Sequence, residues 1–495
     1  MPPCKYHEIC GRDALGGPGE DDLCILHSQS EGKDKTAFWE AFEEHRKQHG
    51  DKFSYFVFPE EINFHDFRFT KASFKGATFI EGAVFTEARF SAGVDFTEAE
   101  FQKEANFGRA QIGGEAVFDE ARFGEEANFW RARFSGGGRF YRAKFFGEAI
   151  FWLAEFTRTT QFWETQFIGG AHFVHTKFCR DADFRESKFS NRADFLAAEF
   201  GAKAHFEAAE FEGETYFQRT RFTDSTDFTE VRFTGRTLFT NEIDGNWIFA
   251  DSTVDFRRVI LNPLDAVTFK DADLRKSRFL GTDLRKAEIT GAKWPEIEWS
   301  PEGRCRKIKW LLGWVTGKTG RRIGVYDEIA PLEEDQSRQW AHIELLYRQL
   351  KQNYEDRRDY ERGGAFHFGE KEMRLSNKQE TRRELRWVLG VYRCVSGYGE
   401  SFRRPLVWAV VLLVLSTIGY LLLGLGPKGG GTALTCGCVW DWLRAAHYSL
   451  KVMTLLKPDD LVPIGWAKPI NTLQSLLGPV LIGLFALALR QGLRR

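Results

Sequence analysis

Phenylalanine recurs along the first half of the chain with a fixed period. Every eleventh residue from Phe85 to Phe239 is Phe, and a second series from Phe90 to Phe233 has Phe at every position except Ile112. The spacing from one Phe to the next therefore alternates between five and six residues. Apolar residues five apart lie about 140° from each other on an α-helix and share no face. This pattern argues against a helix and favours short segments with one large inward side chain each.

The residue two places before each Phe is most often Ala or another small residue, as in FTEARFSAGVD. One large and one small inward residue on each short side predict a solenoid. Rings of successive coils would then stack at the strand spacing of about 4.8 Å. The extra residue in every second unit predicts coils of about 22 residues if four sides are kept, with a bulge at alternate corners.

Beyond Asn262-Pro263 the spacing becomes strictly five residues, at Phe269, Leu274, Phe279, Leu284, Ile289 and Trp294. The segment ADLRKSRFLGTDLRKAEITGAKW resembles the pentapeptide-repeat family. Its A(D/N)LXX unit is matched at 272–276 and, with Thr in place of Ala, at 282–286. The resemblance implies a right-handed quadrilateral β-helix over residues 64–295, which a helical linker or cap over 31–63 would precede.

A helical connector is predicted over residues 296–402. In DQSRQWAHIELLYRQLKQNYEDRRDYERGGAF the apolar residues recur at three- and four-residue steps, and Gly363-Gly364 predict the end of that helix. Two further helical stretches are expected near Phe366 to Leu375 and near Thr381 to Val395. The run LYRQLKQNYEDRRDYERGGAFHFGEKEMR resembles the connector between pentapeptide repeats and membrane segments in bacterial proteins. A passive spacer and a signal-transmitting element both fit this pattern.

Two uncharged apolar segments follow, and they predict membrane spans over 406–426 and 470–489 within a transmembrane domain of residues 403–495. Arg403 and Arg404 precede the first span, whereas Arg490 follows the second. Positive flanks at both outer ends predict that both termini are cytoplasmic. We therefore expect a multi-pass protein of a bacterial-type inner membrane that contacts lipid.

The loop between the spans predicts a short helix through WLRAAHYSLKVMTLL, which Asp441 can cap. The order span, loop, helix, turn, span resembles the two-span ion-channel family related to potassium channels, with a pore loop over 440–463. That resemblance implies a homo-tetramer. It also makes LLGPVLIGLFALALRQGLRR the inner helix, with hinge positions at Gly478, Pro479 and Gly483.

The most specific motif of that family is altered. Potassium filters carry T-x-G-Y-G-D, in which glycines permit left-handed backbone angles. Aligned on the threonine, this chain has the pore and selectivity residues Thr454, Leu455, Leu456, Lys457, Pro458, Asp459 and Asp460. Both glycines are replaced, so we expect ion choice to come from side-chain charge and not from a potassium-type carbonyl cage.

The N-terminal segment, residues 1–30, contains four metal-ligating side chains in the spacing C-x5-C-x13-C-x2-H, at Cys4, Cys10, Cys24 and His27. Four such ligands can close a tetrahedral zinc site with a structural role, because no position is left for a reactive water. His7 is a competing ligand, and the alternative is a disordered tail with incidental cysteines.

The charge balance and the absence of certain motifs argue against two classes of function, nucleic-acid binding and catalysis. The 69 basic and 70 acidic residues leave no field that would recruit nucleic acid. No nucleotide-binding glycine loop and no catalytic cluster occur, so we do not expect an enzyme. The sequence predicts a multidomain pore-forming channel subunit whose cytoplasmic solenoid regulates or assembles it and offers a surface to a protein partner. The alternative is a non-conducting, membrane-anchored scaffold.

Overall fold

Two structural units make up the chain. The computed structural model describes residues 3–15, 22–30, 32–241, 247–298, 321–331, 338–429, 433–434, 438–456 and 460–493. The first unit comprises Met1–Pro295 and Val325–Pro331, and the second comprises Glu296–Gly324 and Leu332–Arg495.

Four parallel sheets form the sides of a solenoid in the first unit. The strands of the first side are Val57–Phe58, Thr78–Phe79, Glu100–Phe101, Arg122–Phe123, Lys144–Phe145, Gln166–Phe167, Lys188–Phe189, Glu210–Phe211, Arg232–Phe233 and Ile260–Leu261. Those of the second side are Ile62–Asn63, Ala83–Val84, Ala105–Asn106, Ala127–Asn128, Ala149–Ile150, Ala171–His172, Ala193–Asp194, Thr215–Tyr216, Thr237–Thr240, Val267–Lys270 and Glu288–Thr290.

The other two sides have the same construction. The third side consists of Arg68–Phe69, Arg89–Phe90, Gln111–Ile112, Arg133–Phe134, Glu155–Phe156, Lys177–Phe178, Glu199–Phe200 and Arg221–Phe222. The fourth consists of Ala72–Ser73, Val94–Asp95, Ala116–Val117, Gly138–Arg139, Thr160–Gln161, Ala182–Asp183, Ala204–His205, Thr226–Asp227, Val254–Asp255 and Ser277–Arg278. The first strand, Val57–Phe58, lies before residue 64, where the sequence pattern placed the start of the solenoid.

The strand register confirms the predicted solenoid, which has about ten coils. Phe123 pairs with Phe145, so the pairing advances by 22 residues per coil. In the last coil Thr268 pairs with Glu288, an advance of 20 residues, as strict five-residue units require. The 20-residue coil thus lacks the extra residue of every second unit but keeps four sides.

The extra residue lies in alternate corners. The corner between the third and fourth sides contains three residues, 223–225, in one coil but only two, 275–276, in the last. The five-residue spacing instead crosses a turn such as 85–88, in which the Ala88 N–H donates to the Phe85 carbonyl (3.0 Å) and Glu87 has a φ of 59°. The additional residue thus lengthens a turn and leaves the strand register continuous.

Stacked phenylalanine rings fill the solenoid. The rings of Phe85 and Phe107 lie 4.8 Å apart at 2°, and those of Phe107 and Phe129 lie 4.9 Å apart at 5°. Neighbouring columns meet edge to face, as Phe96 does with Phe107 at 5.4 Å and 83°. Both arrangements are favourable for aromatic quadrupoles, so the predicted column of rings is confirmed and supplies the core.

Short helices lie at the N-terminal end of this unit. Helix α1 is His7–Cys10 and helix α2 is Lys35–His49. Asp34 begins α2, because its carboxylate accepts a hydrogen bond from the Ala37 N–H (3.1 Å). Phe42 of α2 stacks on Phe53 at 4.9 Å, so the apolar face of α2 covers the first rings of the solenoid.

Helix α3, Tyr326–Ile329, lies at the other end of the solenoid. The carboxylate of its own residue Asp327 attaches it to the last coil. The Asp327 oxygens accept hydrogen bonds from the N–H groups of Phe279 (2.9 Å) and Leu280 (3.1 Å). Burial raises the pKa of Asp327 to about 6.

The second unit begins with an antiparallel pair of strands, Glu296–Glu298 and Arg321–Ile323. Three helices follow: α4 is Trp340–Asp356, α5 is Tyr360–Ser376 and α6 is Arg383–Ser396. The prediction that Gly363-Gly364 end the first of them was wrong, because both glycines lie inside α5 and the break falls at 357–359. The side chain of Asp359 accepts a hydrogen bond from the Arg362 N–H (3.1 Å) and so begins α5.

Three more helices end the chain: α7 is Arg403–Leu423, α8 is Val439–Met453 and α9 is Ala467–Gly492. Helices α7 and α9 are long and apolar enough to cross a membrane, with mean hydropathies of 2.5 and 1.9. Strands Leu425–Pro427 and Leu461–Pro463 pair antiparallel and join the two ends of the intervening loop. Asp441 lies in the first turn of α8 and not at its N-cap, which is Cys438.

Candidate functional site

The structure brings together the four predicted metal ligands. The ligand atoms of Cys4, Cys10, Cys24 and His27 all lie within 4.8 Å of one another, and all four residues are buried. His7 does not join them; it is exposed, and its Nδ1 lies 2.8 Å from the Arg12 carbonyl oxygen. The described part of the chain therefore contains a buried Cys3His cluster that could hold a metal ion.

Local turns position these side chains. Helix α1 ends at Cys10, and Gly11 follows it with a left-handed φ of 61°. The Cys4 N–H donates to the Arg12 carbonyl (3.1 Å), which closes the loop around α1. The His27 N–H donates to the Cys24 carbonyl (3.0 Å), so these two ligands lie on one turn.

Two of the separations between ligand atoms match those of a tetrahedral zinc site. Two sulfurs at the usual zinc distance lie about 3.7 Å apart, and a sulfur and a nitrogen lie about 3.5 Å apart. Cys10 Sγ and Cys24 Sγ are 3.7 Å apart, and Cys4 Sγ is 3.5 Å from His27 Nδ1. Cys24 Sγ lies closer to His27 Nδ1, at 3.1 Å. The 3.7 Å separation is far beyond the length of a disulfide bond, about 2.05 Å.

Protonation of the thiols would oppose metal binding at this cluster. The hydrogen bond that the Cys24 thiol donates to Cys10, together with burial, raises the pKa of Cys24 to about 11. The same bond lowers the pKa of Cys10. A metal ion binds thiolates, so binding here would release the proton that Cys24 holds at neutral pH.

The cluster is built into the end of the solenoid. The Val57 N–H of the first strand donates to the Leu26 carbonyl (2.8 Å), next to the ligand His27. The buried Lys33 ammonium connects the first strand to the segment that contains His27, because it donates to the carbonyls of both Val57 (2.7 Å) and Ser28 (3.2 Å). A metal ion at this cluster would therefore fix the segment that extends the first strand.

Helix α8 packs against both α7 and α9. The Ser449 hydroxyl donates to the Leu413 carbonyl (3.4 Å) near the middle of α7. At the C-terminal end of α8, Met453 lies against Gly478 near the middle of α9, where a Cβ would come within 2.6 Å of Met453 Cγ. Helix α8 thus ends near the mid-length of both long helices, α7 and α9.

A buried polar network ties these three helices together. Gln474 of α9 donates to the Ser449 carbonyl (3.0 Å) and accepts a hydrogen bond from the Tyr420 hydroxyl (2.8 Å). The Tyr448 hydroxyl donates to Asn471 (3.0 Å), and the Tyr420 and Tyr448 rings meet edge to face at 5.0 Å. The polar residues Asn471 and Gln474 near the start of α9 thus bind neighbouring helices of the same chain.

The two tyrosines in this network did not emerge from the sequence as functional residues. The available signal was that Tyr420 places a hydroxyl group in a nearly apolar segment, whereas Tyr448 lies in an amphipathic helix and gave no such signal. A buried tyrosine hydroxyl in such a setting usually has a hydrogen-bond partner.

Only part of the predicted selectivity segment is described. Thr454 follows α8, and its hydroxyl donates to the Leu450 carbonyl (2.9 Å). Leu455 adopts a left-handed φ of 59°, a conformation that costs a residue with a Cβ roughly 1–2 kcal/mol. Leu456 and Asp460 are exposed, whereas Lys457, Pro458 and Asp459 lie outside the described residues.

The three predicted hinge positions all lie in α9 but differ in their surroundings. Gly478 is held against Met453, whereas no described atom beyond the adjoining helix backbone lies within 4 Å of a Cβ at Gly483. Pro479 lies inside the helix, where it removes one backbone hydrogen bond. Two of these positions, Gly478 and Pro479, therefore adjoin the end of α8.

Comparison with protein-family models identifies the repeats. Two models described as pentapeptide repeats match this chain, one at residues 53–100 and 96–144 and the other at residues 264–293. The solenoid is a pentapeptide-repeat domain. The matches cover the first coils and the last, so this domain includes both the 22-residue and the 20-residue coils. No curated protein and no solved structure matches the chain.

Proposed function

We propose that this protein is a pore-forming ion channel subunit with a pentapeptide-repeat domain that regulates or assembles it. The observation that carries the proposal is the position of α8. This helix leaves the loop between two membrane-length helices and ends beside Gly478, at mid-length of the second. A helix that enters a bilayer part-way and turns back must have its backbone covered by protein or water, as pore loops do.

We propose that charged side chains in the pore loop determine which ions pass. In a homo-tetramer, Lys457 and the pair Asp459 and Asp460 of four chains would form charged rings where the chain leaves α8. Rings of charged side chains select hydrated ions by sign. Potassium selectivity of the carbonyl type is not part of the proposal, because Leu456 and Pro458 replace the glycines that a carbonyl cage requires.

The Cys3His cluster is proposed to bind zinc with a structural role. Three thiolates and one imidazole match the preference of zinc, and four protein ligands leave no open position for catalysis. Reduced thiols at such a site fit a cytoplasmic N-terminus, and the arginines at the outer ends of α7 and α9 fit the same orientation. A bacterial-type inner membrane is the proposed location.

A specific observation favours a second candidate, a non-conducting membrane-anchored scaffold that recruits a protein partner. Gln474 and Asn471, the polar residues of the second span, are engaged by Ser449, Tyr420 and Tyr448 of the same chain. Their polarity is therefore accounted for by helix packing and does not require a water-filled pore.

Electrical recording separates the two candidates. Purified full-length protein is reconstituted in planar bilayers, and currents are recorded under KCl gradients. We expect unitary conductances whose reversal potential reports the sign of the permeant ion. Absence of unitary currents over a wide range of voltages and salt concentrations would reject the channel and favour the scaffold.

Charge variants then identify the ring that the ion meets. Lys457→Ala and the double variant Asp459→Ala with Asp460→Ala are expected to shift the reversal potential in opposite directions. Lys468→Ala is the control, because this exposed lysine lies on the same loop side of the protein, in the first turn of α9, whereas Lys428 would not serve since its N–H donates to the Asp460 carbonyl (3.1 Å). An equal shift in all three variants would mean that general surface charge, and not a ring, sets ion choice.

A further inference from the structure

Helix α6 presents a face that is apolar except for Glu384 in its first turn, and no part of the described chain covers it. Trp387 is 72% exposed, Val388 is 52% exposed and Val391 is 42% exposed. These residues lie within one helical stripe, since their positions fall on one side at 100° per residue. A stripe of this kind on an isolated soluble helix would be costly to leave in water.

The opposite face of α6 is packed against the protein. Leu389 is buried, and the Arg386 side chain donates to the Leu375 carbonyl (3.3 Å) of α5. Arg393 of α6 forms an ion pair with Glu372 of α5 at 3.1 Å. The helix therefore has a fixed orientation, and its apolar stripe points away from the connector.

The C-terminal half of α6 is fastened to the beginning of α7. The Arg404 guanidinium donates to the Arg393 carbonyl (2.8 Å), and the Trp408 indole N–H donates to the Cys394 carbonyl (3.3 Å). Helix α6 also contacts α9. If α7 crosses a bilayer, these contacts hold α6 at the level where the span enters the lipid.

We propose that α6 is an interfacial helix whose Trp387, Val388 and Val391 insert among the acyl chains of the cytoplasmic leaflet. Tryptophan is enriched at this depth, and amphipathic helices bind lipid through such a face. The exposed Arg382 and Arg383 begin the helix and provide partners for the phosphates of lipid headgroups. The inference rests on the proposed membrane insertion of α7 and does not depend on conduction.

Site-specific photocrosslinking tests the occupant of this face. The photoreactive residue p-benzoylphenylalanine replaces Trp387 or Val391 in the full-length protein, which is reconstituted in nanodiscs of phosphatidylcholine and phosphatidylglycerol. Leu415, 63% exposed on α7, is the control for lipid inside the bilayer. Trp152, 47% exposed on the solenoid, is the control for an apolar side chain outside it.

We expect lipid adducts by mass spectrometry at positions 387, 391 and 415, with at least several-fold less at position 152. Adducts at 415 but none at 387 and 391 would overturn the inference about α6 and leave the proposed membrane insertion of α7 intact. Crosslinks from 387 or 391 to a second copy of the chain would overturn it in favour of a protein interface. Absence of lipid adducts at 415 would instead reject the membrane insertion on which the proposed function also rests.

Discussion

The side-chain amide of Gln474 in α9 donates hydrogen bonds to both the carbonyl (3.0 Å) and the hydroxyl (2.5 Å) of Ser449 in α8. Both residues are completely buried. Since the Ser449 hydroxyl donates to Leu413 of α7, one amide group connects the three helices. This connection, and not contact with solvent, explains why a glutamine lies within an apolar helix.

Replacing Gln474 with Leu should loosen α8 from the two long helices. The Tyr420 hydroxyl and Ser449 would lose their partner inside an apolar setting, so we expect a loss of about 1–2 kcal/mol in the free energy of unfolding. Denaturation of the purified protein in detergent measures this free energy. Thr472→Val is the matched control, because that exposed hydroxyl donates to the Lys468 carbonyl of its own helix (3.2 Å) and not to α7 or α8 among the described residues. Equal losses in the two variants would contradict the role of the network.

Substituting alanine at Gly478 should displace α8, whereas the same change at Gly483 should not. A Cβ at Gly478 would lie 2.6 Å from Met453 Cγ and 2.8 Å from the Met453 carbonyl oxygen, and the backbone atom cannot move away cheaply. At Gly483 the described structure leaves room, and alanine favours the helix by about 1 kcal/mol. We expect a lower melting temperature for Gly478→Ala and an equal or higher one for Gly483→Ala. A reversed order would mean that α8 does not rest on Gly478.

These two glycines show what sequence alone could not resolve. Both follow a leucine or isoleucine in an apolar helix. Pro479 follows Gly478 in the sequence, but the lack of room for a Cβ at Gly478 comes from Met453, which belongs to another segment. The same holds for Gln474, whose partners come from two distant helices. The solenoid could be predicted because each of its coils repeats one environment, so Phe and Ala recur at fixed positions. The four metal ligands could be predicted because their residue types serve few other purposes at that spacing.

Purified protein should carry about one zinc ion per chain, and Cys24→Ser should remove it. Cys179→Ser is the matched control, because this cysteine is exposed on the solenoid, away from the cluster. Elemental analysis gives the metal content. Loss of the ion should also speed hydrogen exchange at the Val57 amide, which donates to the Leu26 carbonyl next to His27. Zinc retained in full by Cys24→Ser, or absent from protein prepared without chelators, would contradict the site.

Glu370 should make the stability of the connector depend on pH. Its side chain is buried and lies 3.3 Å from Arg348 Nε, 3.2 Å from Lys371 Nζ and 3.6 Å from His367 Nδ1. Burial, the largest influence, raises the pKa of Glu370. The hydrogen bond from His367 and the charge of Lys371 outweigh it and lower that pKa to about 2. A depressed pKa in the folded state stabilises the protein above the unfolded value of 4.5, and this contribution is lost as the pH falls through about 2.

Glu370→Gln should therefore lower the free energy of unfolding most at about pH 7, and the deficit relative to the unmodified protein should shrink at about pH 3. Chemical denaturation at the two pH values measures the difference. Glu361→Gln provides the control, because Glu361 is exposed in the first turn of the same helix. Its effect should be small at both pH values, since exposed charges contribute little. A deficit of equal size at both pH values would mean that Glu370 stabilises α5 by packing and not by its ion pairs with Arg348 and Lys371.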